Sequence, residues 1–248
     1  MLKNSTKIEV DNQEFEVPNH WFWKQYKESE WEKDTFLTFK KHLNSKITFI
    51  DVGAWVGVTS MYAYKCDCKK IYSIEANPKS FEILRGVKEL NLDLATHMSI
   101  KNVCITDSDD QIIKFGHKTS SASRITEDGE YSVKTQTILS YLNENRIDHS
   151  NNIFLKVDIE GSEINIIRNL SSLIKGNNKM LLALHPPFWE SLQSGCETIM
   201  NSIKDKKLFS VKGESISHKN LEHMILTEEK FPKWGTSYGN FFEILVIE

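Results

Sequence analysis

The sequence predicts an α/β protein whose central sheet is mostly parallel and covered by helices on both faces. From residue 46 onward, short apolar segments rich in β-branched residues alternate with segments whose apolar residues recur at helical spacing. Repeated strand–helix units of this kind build parallel sheets. The final segment, Phe241–Glu248, also has strand character, and no clear crossover helix separates it from the strand-like Leu208–Lys212. We therefore expect these two segments to form an antiparallel last part of the sheet.

The N-terminal region, residues 1–45, is predicted to be a helical cap, and residues 46–248 are predicted to form one compact domain. Apolar residues of the cap recur at helical spacing from Trp31 to Leu43. The cap also contains a cluster of aromatic residues, which suits either the burial of surface against the sheet or a wall of a substrate site. This cluster comprises Trp21, Phe22, Trp23, Tyr26 and Trp31.

The elements of the main domain follow in a regular order, and Asn77 and Pro78 are suited to cap and begin one of its helices. The predicted strands are Thr48–Asp51, Lys70–Ala76, His97–Thr106, Gln111–Phe115, Tyr131–Thr135, Ile153–Ile159 and Met180–Leu184. The predicted helices are Val58–Lys65, Pro78–Leu90, Ile138–Asn145, Glu163–Leu170 and Leu192–Ile203.

Composition excludes several classes of protein. The chain has 248 residues, with 31 Lys and Arg against 34 Asp and Glu, and this net charge of −3 offers no basic surface for nucleic acid. No apolar stretch approaches the roughly 20 residues of a membrane span, and the first residues lack the apolar segment of a secretion signal. Four scattered cysteines do not make a disulfide framework. We expect a soluble, cytoplasmic protein.

The segment Thr48–Gly57, with the sequence TFIDVGAWVG, is typical of a loop that binds a nucleoside-containing cofactor at the end of a strand. Gly53 and Gly57 would let the backbone approach the ligand closely. Asp51 occupies the place of the first glycine in the dinucleotide-binding pattern G-x-G-x-x-G, where a carboxylate would repel phosphate. The loop therefore favours a cationic ligand over a pyrophosphate.

A second acid completes this pattern. Glu75 ends the next predicted strand about 20 residues after the glycine turn, at the position from which such folds bind ribose hydroxyl groups. Together, the loop and Glu75 predict a site for an adenosine-containing cofactor.

Charged residues also gather at the ends of two later strands. The block LKVDIEGSE contains Lys156, Asp158, Glu160 and Glu163, and the side-chain period of a strand places the first three on one side. His185 ends the strand LLAL and precedes two prolines that stiffen its backbone. Since the carboxyl ends of parallel strands share one edge of a sheet, these groups are candidates for acid–base chemistry beside the cofactor.

These segments together resemble the FkbM-type family of S-adenosylmethionine-dependent methyltransferases. FIDVGAWVG is similar to the family's DVGANxG loop, IEANPKSFEILR to its EPNP junction, LKVDIEGSE to its LKIDVEGAE block and LLALHPP to its L-x-x-E/L-H-P ending. The resemblance spans about residues 30–190. It implies a Rossmann-like class I methyltransferase fold with an antiparallel last strand.

The resemblance also implies roles for individual residues. It places Asp51 and Gly53 at the methionine end of the cofactor, Glu75 on the ribose hydroxyls and Asn77 beside the adenine, which the end of the third strand, 103–106, would flank. Trp55 stands where the family usually has Asn, and Ala76 stands where Pro is common. Because of Trp55, the contact of the loop with the cofactor's carboxylate stays open. The expected cofactor-binding residues are Asp51, Gly53, Ala54, Trp55, Gly57, Glu75, Ala76, Asn77, Cys104 and Asp158.

The function that the resemblance implies is methylation of a hydroxyl group, most often on a sugar or glycan, with a polyketide-type hydroxyl as the alternative. A sugar hydroxyl is a poor nucleophile at neutral pH, so a base beside it is expected. His185 is the first candidate and Asp158 the second, while Glu160 and Lys156 complete the catalytic cluster. Asp158, Glu160 and His185 could also hold Mg²⁺ or Mn²⁺, but their spacing is not diagnostic and no metal is expected.

Two other classes of function stay open. A nicotinamide-dependent oxidoreductase could use the same sheet, although the acid in the first glycine's place counts against it. A nucleoside-binding module without turnover could keep the same fold. The acceptor, a small molecule or oligosaccharide, is expected to contact the aromatic N-terminal region, the loop Thr119–Arg124 and the segment Phe231–Asn240. The sequence specifies neither the acceptor nor the oligomeric state.

Overall fold

The computed structural model describes residues 5–29, 31–116, 125, 129–227 and 241–248. The strands are β1 Ser5–Val10, β2 Gln13–Pro18, β3 Thr48–Val52, β4 Lys70–Glu75, β5 Met98–Asn102, β6 Cys104–Ile105, β7 Ile112–Phe115, β8 Tyr131–Gln136, β9 Ile153–Val157, β10 Lys179–Leu184, β11 Lys207–Ser210, β12 Ser215–Ile216 and β13 Phe242–Ile247. The helices are α1 Phe22–Glu28, α2 Lys33–His42, α3 Val58–Lys65, α4 Pro78–Leu90, α5 Leu92–His97, α6 Ile138–Glu144, α7 Glu163–Ser171, α8 Leu192–Ile203 and α9 His218–Leu226, with a 3₁₀ turn over Pro186–Phe188.

The central sheet has the strand order β12-β11-β13-β10-β9-β3-β4-β5. Strands β10, β9, β3, β4 and β5 are parallel neighbours, whereas β13 is antiparallel to both β10 and β11. This topology confirms the predicted mostly parallel sheet with an antiparallel last strand. Because β3, β4, β9 and β10 run in the same direction, the loops after them meet at one edge of the sheet.

Helices cover both faces of this sheet, as predicted. One apolar core contains Ile138, Ile166 and Ile199 from α6, α7 and α8, packed with sheet residues. The other contains Met61 and Leu84 from α3 and α4, again with sheet residues. Among the described helices, none combines the length and the apolar character that crossing a membrane would require.

Sequence signals explain where α4 begins. The Asn77 side chain accepts a hydrogen bond from the backbone N–H of Lys79 at 2.9 Å, and Pro78 occupies the first turn. An N-cap of this kind satisfies one of the N–H groups that a helix start leaves without a partner. The start of α4 directly after β4 places Glu75 and Asn77 together at the sheet edge.

The N-terminal region differs from the predicted helical cap. Helices α1 and α2 are present, but residues 5–18 form an antiparallel hairpin of β1 and β2. Ile8 and Val10 are buried while their neighbours face outward, an alternation typical of a strand. Asp11 and Asn12 form the turn with φ values of 48° and 65°, and these residue types tolerate the left-handed region better than most.

Two further elements differ from the predictions. The single strand expected over His97–Thr106 is divided into β5 and β6, and His97 belongs to α5. Helix α9 lies in the stretch where no clear helix was expected; only Leu221 and Ile225 are buried along it, so its apolar stripe is too short to recognise. The expected acceptor-binding segments Thr119–Arg124 and Phe231–Asn240 lie outside the described residues.

Candidate active site

A cavity of about 310 Å³ opens at the edge where the parallel strands end. Its walls come from the loop after β3, the end of β4, the β6 region, the turn after β9 and the N-terminal helices. Among the predicted site residues, eight line this cavity: Gly53, Trp55, Glu75, Ala76, Asn77, Cys104, Asp158 and Glu160. Five others, within the described part of the chain, lie outside its lining: Asp51, Ala54, Gly57, Lys156 and His185.

The two loop glycines serve packing inside the protein. Gly53 has φ +84°, and a Cβ there would lie 1.8 Å from the backbone oxygen of Asp158. Gly57 has φ +93°, and a Cβ there would lie 2.7 Å from Leu84 Cδ1. The close approach that requires glycine is therefore to the β9 turn and to α4, whereas the sequence analysis expected it to be to the ligand. Gly53 still borders the cavity.

Trp55 follows the turn with φ +48°, a left-handed conformation that is uncommon for a bulky residue. Asparagine, the usual family residue here, adopts this conformation more readily. The Trp55 ring centroid lies 4.4 Å from that of Phe22, and its indole N–H is buried with no hydrogen-bond partner among the described residues. Such a buried donor beside a cavity is suited to a ligand's acceptor atom.

The Glu75 carboxylate accepts hydrogen bonds from two backbone N–H groups, one in the loop after β3 and one at the start of α4. One carboxylate oxygen accepts from Trp55 N at 2.8 Å and the other from Asn77 N at 2.7 Å. Burial raises the pKa of Glu75 to about 7, although these two hydrogen bonds act in the opposite direction. Each oxygen retains a further lone pair, so the group can still accept hydrogen bonds from ribose hydroxyls.

The cavity wall next to Glu75 is apolar and suits a flat heterocycle. One side of it is the turn between β4 and α4, which is fixed because Asn102 donates to the carbonyl oxygens of Glu75 and Ala76 at 2.7 and 3.0 Å. Cys104 is buried here, and burial raises the pKa of its thiol to about 12, so it is a neutral packing group. The wall comprises Ala76, Val103, Cys104, Ile105 and Phe115.

Asp51 lies behind the loop, with no exposed surface. Its Oδ2 accepts from the hydroxyls of Thr59 and Ser60 at 2.6 and 2.7 Å, so the side chain faces α3. Burial raises its pKa, while nearby Lys156 and the two hydroxyls oppose the shift. Oδ2 thus anchors the loop to α3, whereas Oδ1 is buried with no hydrogen-bond partner among the described residues, and the contact of Asp51 with the cofactor stays a prediction.

An ion pair between buried Lys156 and Asp158 lies at the end of β9, beside the cavity. Lys156 is 2% exposed, and its Nζ donates to Asp158 Oδ2 at 3.0 Å. Burial disfavours the ionised form of Asp158, but Lys156 and then His185 outweigh it and hold its pKa below the usual range. Asp158 is thus an ionised carboxylate at the cavity surface.

His185 lies behind this carboxylate, against three acids. Its Nε2 lies 3.4 Å from Asp158 Oδ1 and 3.7 Å from Glu160 Oε2, and its Nδ1 lies 3.5 Å from Glu163 Oε1. Burial opposes protonation, but the three carboxylates, with Glu163 first, raise the pKa of His185 to about 9. At neutral pH the ring is therefore a cation, whereas the sequence analysis expected a free base projecting over the sheet edge.

Glu163 and Glu160 have different environments. Glu163 is fully buried and accepts from the backbone N–H groups of His185 and Gly161 at 2.6 and 2.8 Å and from the indole N–H of Trp189 at 3.0 Å. It fixes the position of His185, a role that its place at the start of α7 did not reveal. Glu160 borders the cavity, and burial, with Asp158 and Glu163 nearby, raises its pKa to about 7.

The groups considered as metal ligands do lie together. One ligand atom each from Asp158, Glu160 and His185 lie within 4.8 Å of one another. A protonated His185 already balances the same carboxylates, so the arrangement suits either a proton or a divalent cation.

The N-terminal region forms a wall of the cavity that the sequence analysis had left open. Phe22 and Trp31 pack edge to face, with ring centroids 5.2 Å apart, and Trp21 lies beside Trp55 at 6.1 Å. Glu32 adds a carboxyl group that no sequence motif had indicated. The lining residues from this region are Trp21, Phe22, Gln25, Trp31 and Glu32.

Comparison with solved structures supports the fold. The chain is similar to a methyltransferase FkbM from Methylobacillus flagellatus KT, with a TM-score of 0.50 and 14% identity over 83% of this chain and 44% of the other. It is also similar to a candidate SAM-dependent methyltransferase from Streptococcus mutans, with a TM-score of 0.50 and 10% identity over 98% of this chain and 55% of the other. The chain thus spans about half the length of these two proteins. No curated protein matches its sequence.

Comparison with family models identifies the chain more directly. The model of the methyltransferase FkbM domain matches residues 51–201, which include the glycine loop, Glu75, the LKVDIEGSE block and His185. The match confirms the predicted family, and with it S-adenosylmethionine as the cofactor. The chain belongs to the FkbM methyltransferase family.

Proposed function

We propose that this methyltransferase transfers the methyl group of S-adenosylmethionine to a hydroxyl group, and that the acceptor is a sugar or glycan. The observation that carries the proposal is the presence of two carboxyl groups, Asp158 and Glu160, on the same cavity as the family's cofactor loop. A hydroxyl acceptor must lose a proton as it attacks, and a carboxylate beside it can accept that proton.

The residues present fit the cofactor. Glu75 and Asn77 border the end of β4, where they would bind the ribose and lie beside the adenine, and the apolar wall around Cys104 would cover the adenine. Gly53, Trp55 and Asp158 would border the methionine end. Bound S-adenosylmethionine supplies a methyl group activated by a positively charged sulfur. The acidic residues around this end favour such a cation.

Asp158 is the base we assign, ahead of His185. Its carboxylate faces the cavity and its pKa is held low by Lys156, so it is ionised at neutral pH. His185 lies behind it and is protonated, so its ring cannot accept a proton from the acceptor. We assign His185 and Lys156 to positioning Asp158. Glu160 is the second candidate: its pKa of about 7 lies near the working pH, which favours proton transfer, but at neutral pH only part of the population is ionised, whereas Asp158 is ionised throughout.

The aromatic wall supports a sugar as the acceptor class. Trp21 is 54% exposed although it lies beside the cavity, and it packs near Trp55 and Phe22. Exposed aromatic rings at a cavity mouth offer flat apolar surface to a ligand that also carries polar groups. The same wall would suit a flat polyketide-type compound, so the acceptor assay must include both.

The proposal is tested by a methyl-transfer assay with the wild-type chain and S-adenosylmethionine carrying a labelled methyl group. The acceptor panel contains free sugars, oligosaccharides, polyketide-type alcohols and primary amines. We expect label in the sugar fraction, as a methyl ether identified by NMR. Label in amines alone would overturn the assignment to hydroxyl groups, and label confined to polyketide-type alcohols would overturn the sugar assignment.

Calorimetry separates the proposal from the other two classes of function. We expect binding of S-adenosylmethionine and of S-adenosylhomocysteine, and none of NAD. Binding of the donor without transfer to any member of the panel would support a module without turnover. An assay after treatment with a chelator, with Mg²⁺ or Mn²⁺ added back, tests metal dependence; we expect activity to survive chelation because His185 and Lys156 already balance the carboxylates.

A further inference from the structure

Glu32 carries a carboxyl group from the N-terminal region into the cavity. It precedes α2 with φ +47°, a left-handed conformation that is uncommon for residues other than glycine. It lines the same cavity as Gly53, Trp55 and Asp158. Strained backbone conformations of this kind concentrate at functional sites, where the surrounding structure enforces them.

One oxygen of the Glu32 carboxyl group lacks a hydrogen-bond partner in the part of the chain that the structure describes. This oxygen, Oε2, is enclosed, and no described residue hydrogen-bonds to it. Glu75, Asp158 and Glu163 accept hydrogen bonds from the protein, whereas Asp51 Oδ1, like Glu32 Oε2, is buried with no partner among the described residues. The Thr35 hydroxyl, three residues after Glu32, donates to Glu243 instead. A buried polar group without a partner is costly, and a ligand at the cavity could supply the missing donor.

The charges around Glu32 favour a cationic donor. Lys156 is a shared counter-charge for four acids, namely Asp158, Asp51, Glu32 and Glu243. Among the described residues, its hydrogen bond goes to Asp158. Burial, with Glu243 nearby, holds the pKa of Glu32 well above its usual range. The part of the site around Lys156 therefore contains four carboxyl groups, and the charge of Lys156 can balance only one of them.

The cofactor carries a group that fits this part of the site. Glu32 is electrostatically linked to Asp51, Lys156 and Asp158, at the ends of β3 and β9, and this is where the methionine end is expected. An ammonium group has three N–H donors. A sulfonium has none, so it cannot satisfy Oε2. We propose that Glu32 binds the α-ammonium group of the cofactor's methionine end, and that the N-terminal region thereby forms part of the donor site. This inference rests on the proposed function.

The test compares ligands that carry or lack the ammonium group. S-adenosylhomocysteine has it, whereas 5′-methylthioadenosine keeps the adenosine and lacks the amino-acid part. In calorimetry, E32Q is expected to weaken binding of S-adenosylhomocysteine roughly 10- to 100-fold, as for loss of a charged hydrogen bond. Binding of 5′-methylthioadenosine should change by less than about twofold. E28Q is the matched control, because Glu28 is exposed on α1 and does not line the cavity.

A test from the ligand side does not depend on the folding of the variant. Wild-type protein should bind S-adenosylhomocysteine at least roughly 10-fold more tightly than its analogue with hydrogen in place of the α-amino group. E32Q should lose most of this preference. Equal affinities of the wild type for these two ligands would overturn the inference, as would equal weakening of S-adenosylhomocysteine and 5′-methylthioadenosine by E32Q. If the wild type binds none of the ligands, the proposed function itself fails.

Discussion

The two ends of the cavity are built from different interactions. At the end where we propose that the adenosine binds, called the adenosine end, both oxygens of Glu75 accept hydrogen bonds from backbone N–H groups, and Asn102 donates to the adjoining carbonyls. At the end proposed for the methionine part, called the methionine end, the side chains of Lys156 and His185 balance a group of acids through charge.

This difference separates binding from chemistry. Hydrogen bonds from two backbone N–H groups hold Glu75 in one geometry, which suits the recognition of a constant group such as adenosine. Clustered charges respond to every ligand and proton that enters, because each group shifts the pKa of the others. Substitutions at the two ends should therefore affect different measured quantities.

The largest effect is expected for Asp158→Asn, which keeps the shape of the side chain and removes the assigned base. We expect kcat with the identified acceptor to fall by roughly 10²- to 10⁴-fold, the usual contribution of a general base. The Kd of S-adenosylhomocysteine should change by less than about tenfold. Asp205→Asn is the control, because Asp205 is exposed and does not line the cavity. Wild-type turnover in Asp158→Asn would refute the division between the two ends.

The next largest effect is expected for Gly53, which lines the cavity and lies against the backbone of Asp158. In Gly53→Ala, the new Cβ would lie 1.8 Å from the Asp158 oxygen at φ +84°, and we expect the free energy of unfolding to fall by about 3 kcal/mol or more. In Gly176→Ala, φ is +58° but the nearest atom is 3.7 Å away, and a loss of about 1 kcal/mol is expected. Urea denaturation measures both. Equal losses of unfolding free energy in the two variants would mean that position 53 requires glycine for its backbone conformation and not for its contact with the β9 turn.

Glu75→Gln tests the adenosine end. The amide NH₂ cannot accept a hydrogen bond, so the variant offers the ribose hydroxyls one acceptor oxygen in place of two, besides leaving the N–H of either Trp55 or Asn77 without its partner. Loss of hydrogen bonds from the ribose to this carboxylate, at about 1–3 kcal/mol, corresponds to binding of S-adenosylhomocysteine that is roughly 10- to 100-fold weaker. The control is Glu89→Gln on the exposed face of α4, where Glu89 pairs only with Arg85 among the described residues. Calorimetry that gave the same Kd for wild type and Glu75→Gln would contradict the assignment of Glu75 to the donor site.

The smallest expected effect is a pH dependence of stability at the charged end. The folded protein raises the pKa of His185 from 6.5 to about 9. The stabilisation that results is fully present below pH 6.5 and is lost as the pH rises from 6.5 through 9. His185→Gln should remove a decline of the order of 1 kcal/mol in the free energy of unfolding across this range.

Denaturation curves at several pH values measure that decline as the difference between wild type and variant. His97→Gln, a change at an exposed histidine, should leave the pH profile as it is in the wild type. If His185→Gln reproduces the wild-type profile, the imidazole is not held as a cation by its three acids.

Much of the fold could be predicted because its signals are local. The strands of the parallel sheet are continuous apolar segments, and Asn77 and Pro78 mark the start of α4 within a few residues of sequence. The hairpin of β1 and β2 and helix α9 were not predicted. Helix α9 buries only Leu221 and Ile225, so no short window of sequence displays it. The hairpin does carry a local signal, the alternation of Ile8, Val10, Phe15 and Val17 on either side of its turn, which the prediction of a helical cap overlooked.

The sequence by itself determined the family, the cofactor, most of the succession of strands and helices along the chain and the edge at which the polar residues gather, because these depend on spacing along the chain. Only the tertiary structure decided what each polar residue does there. It turned Asp51 toward α3, placed His185 behind Asp158 as a cation and brought Glu32 to the cavity from a distant segment. The physical reason is that a side chain's burial, partners and charge state are set by neighbours from several strands and helices at once.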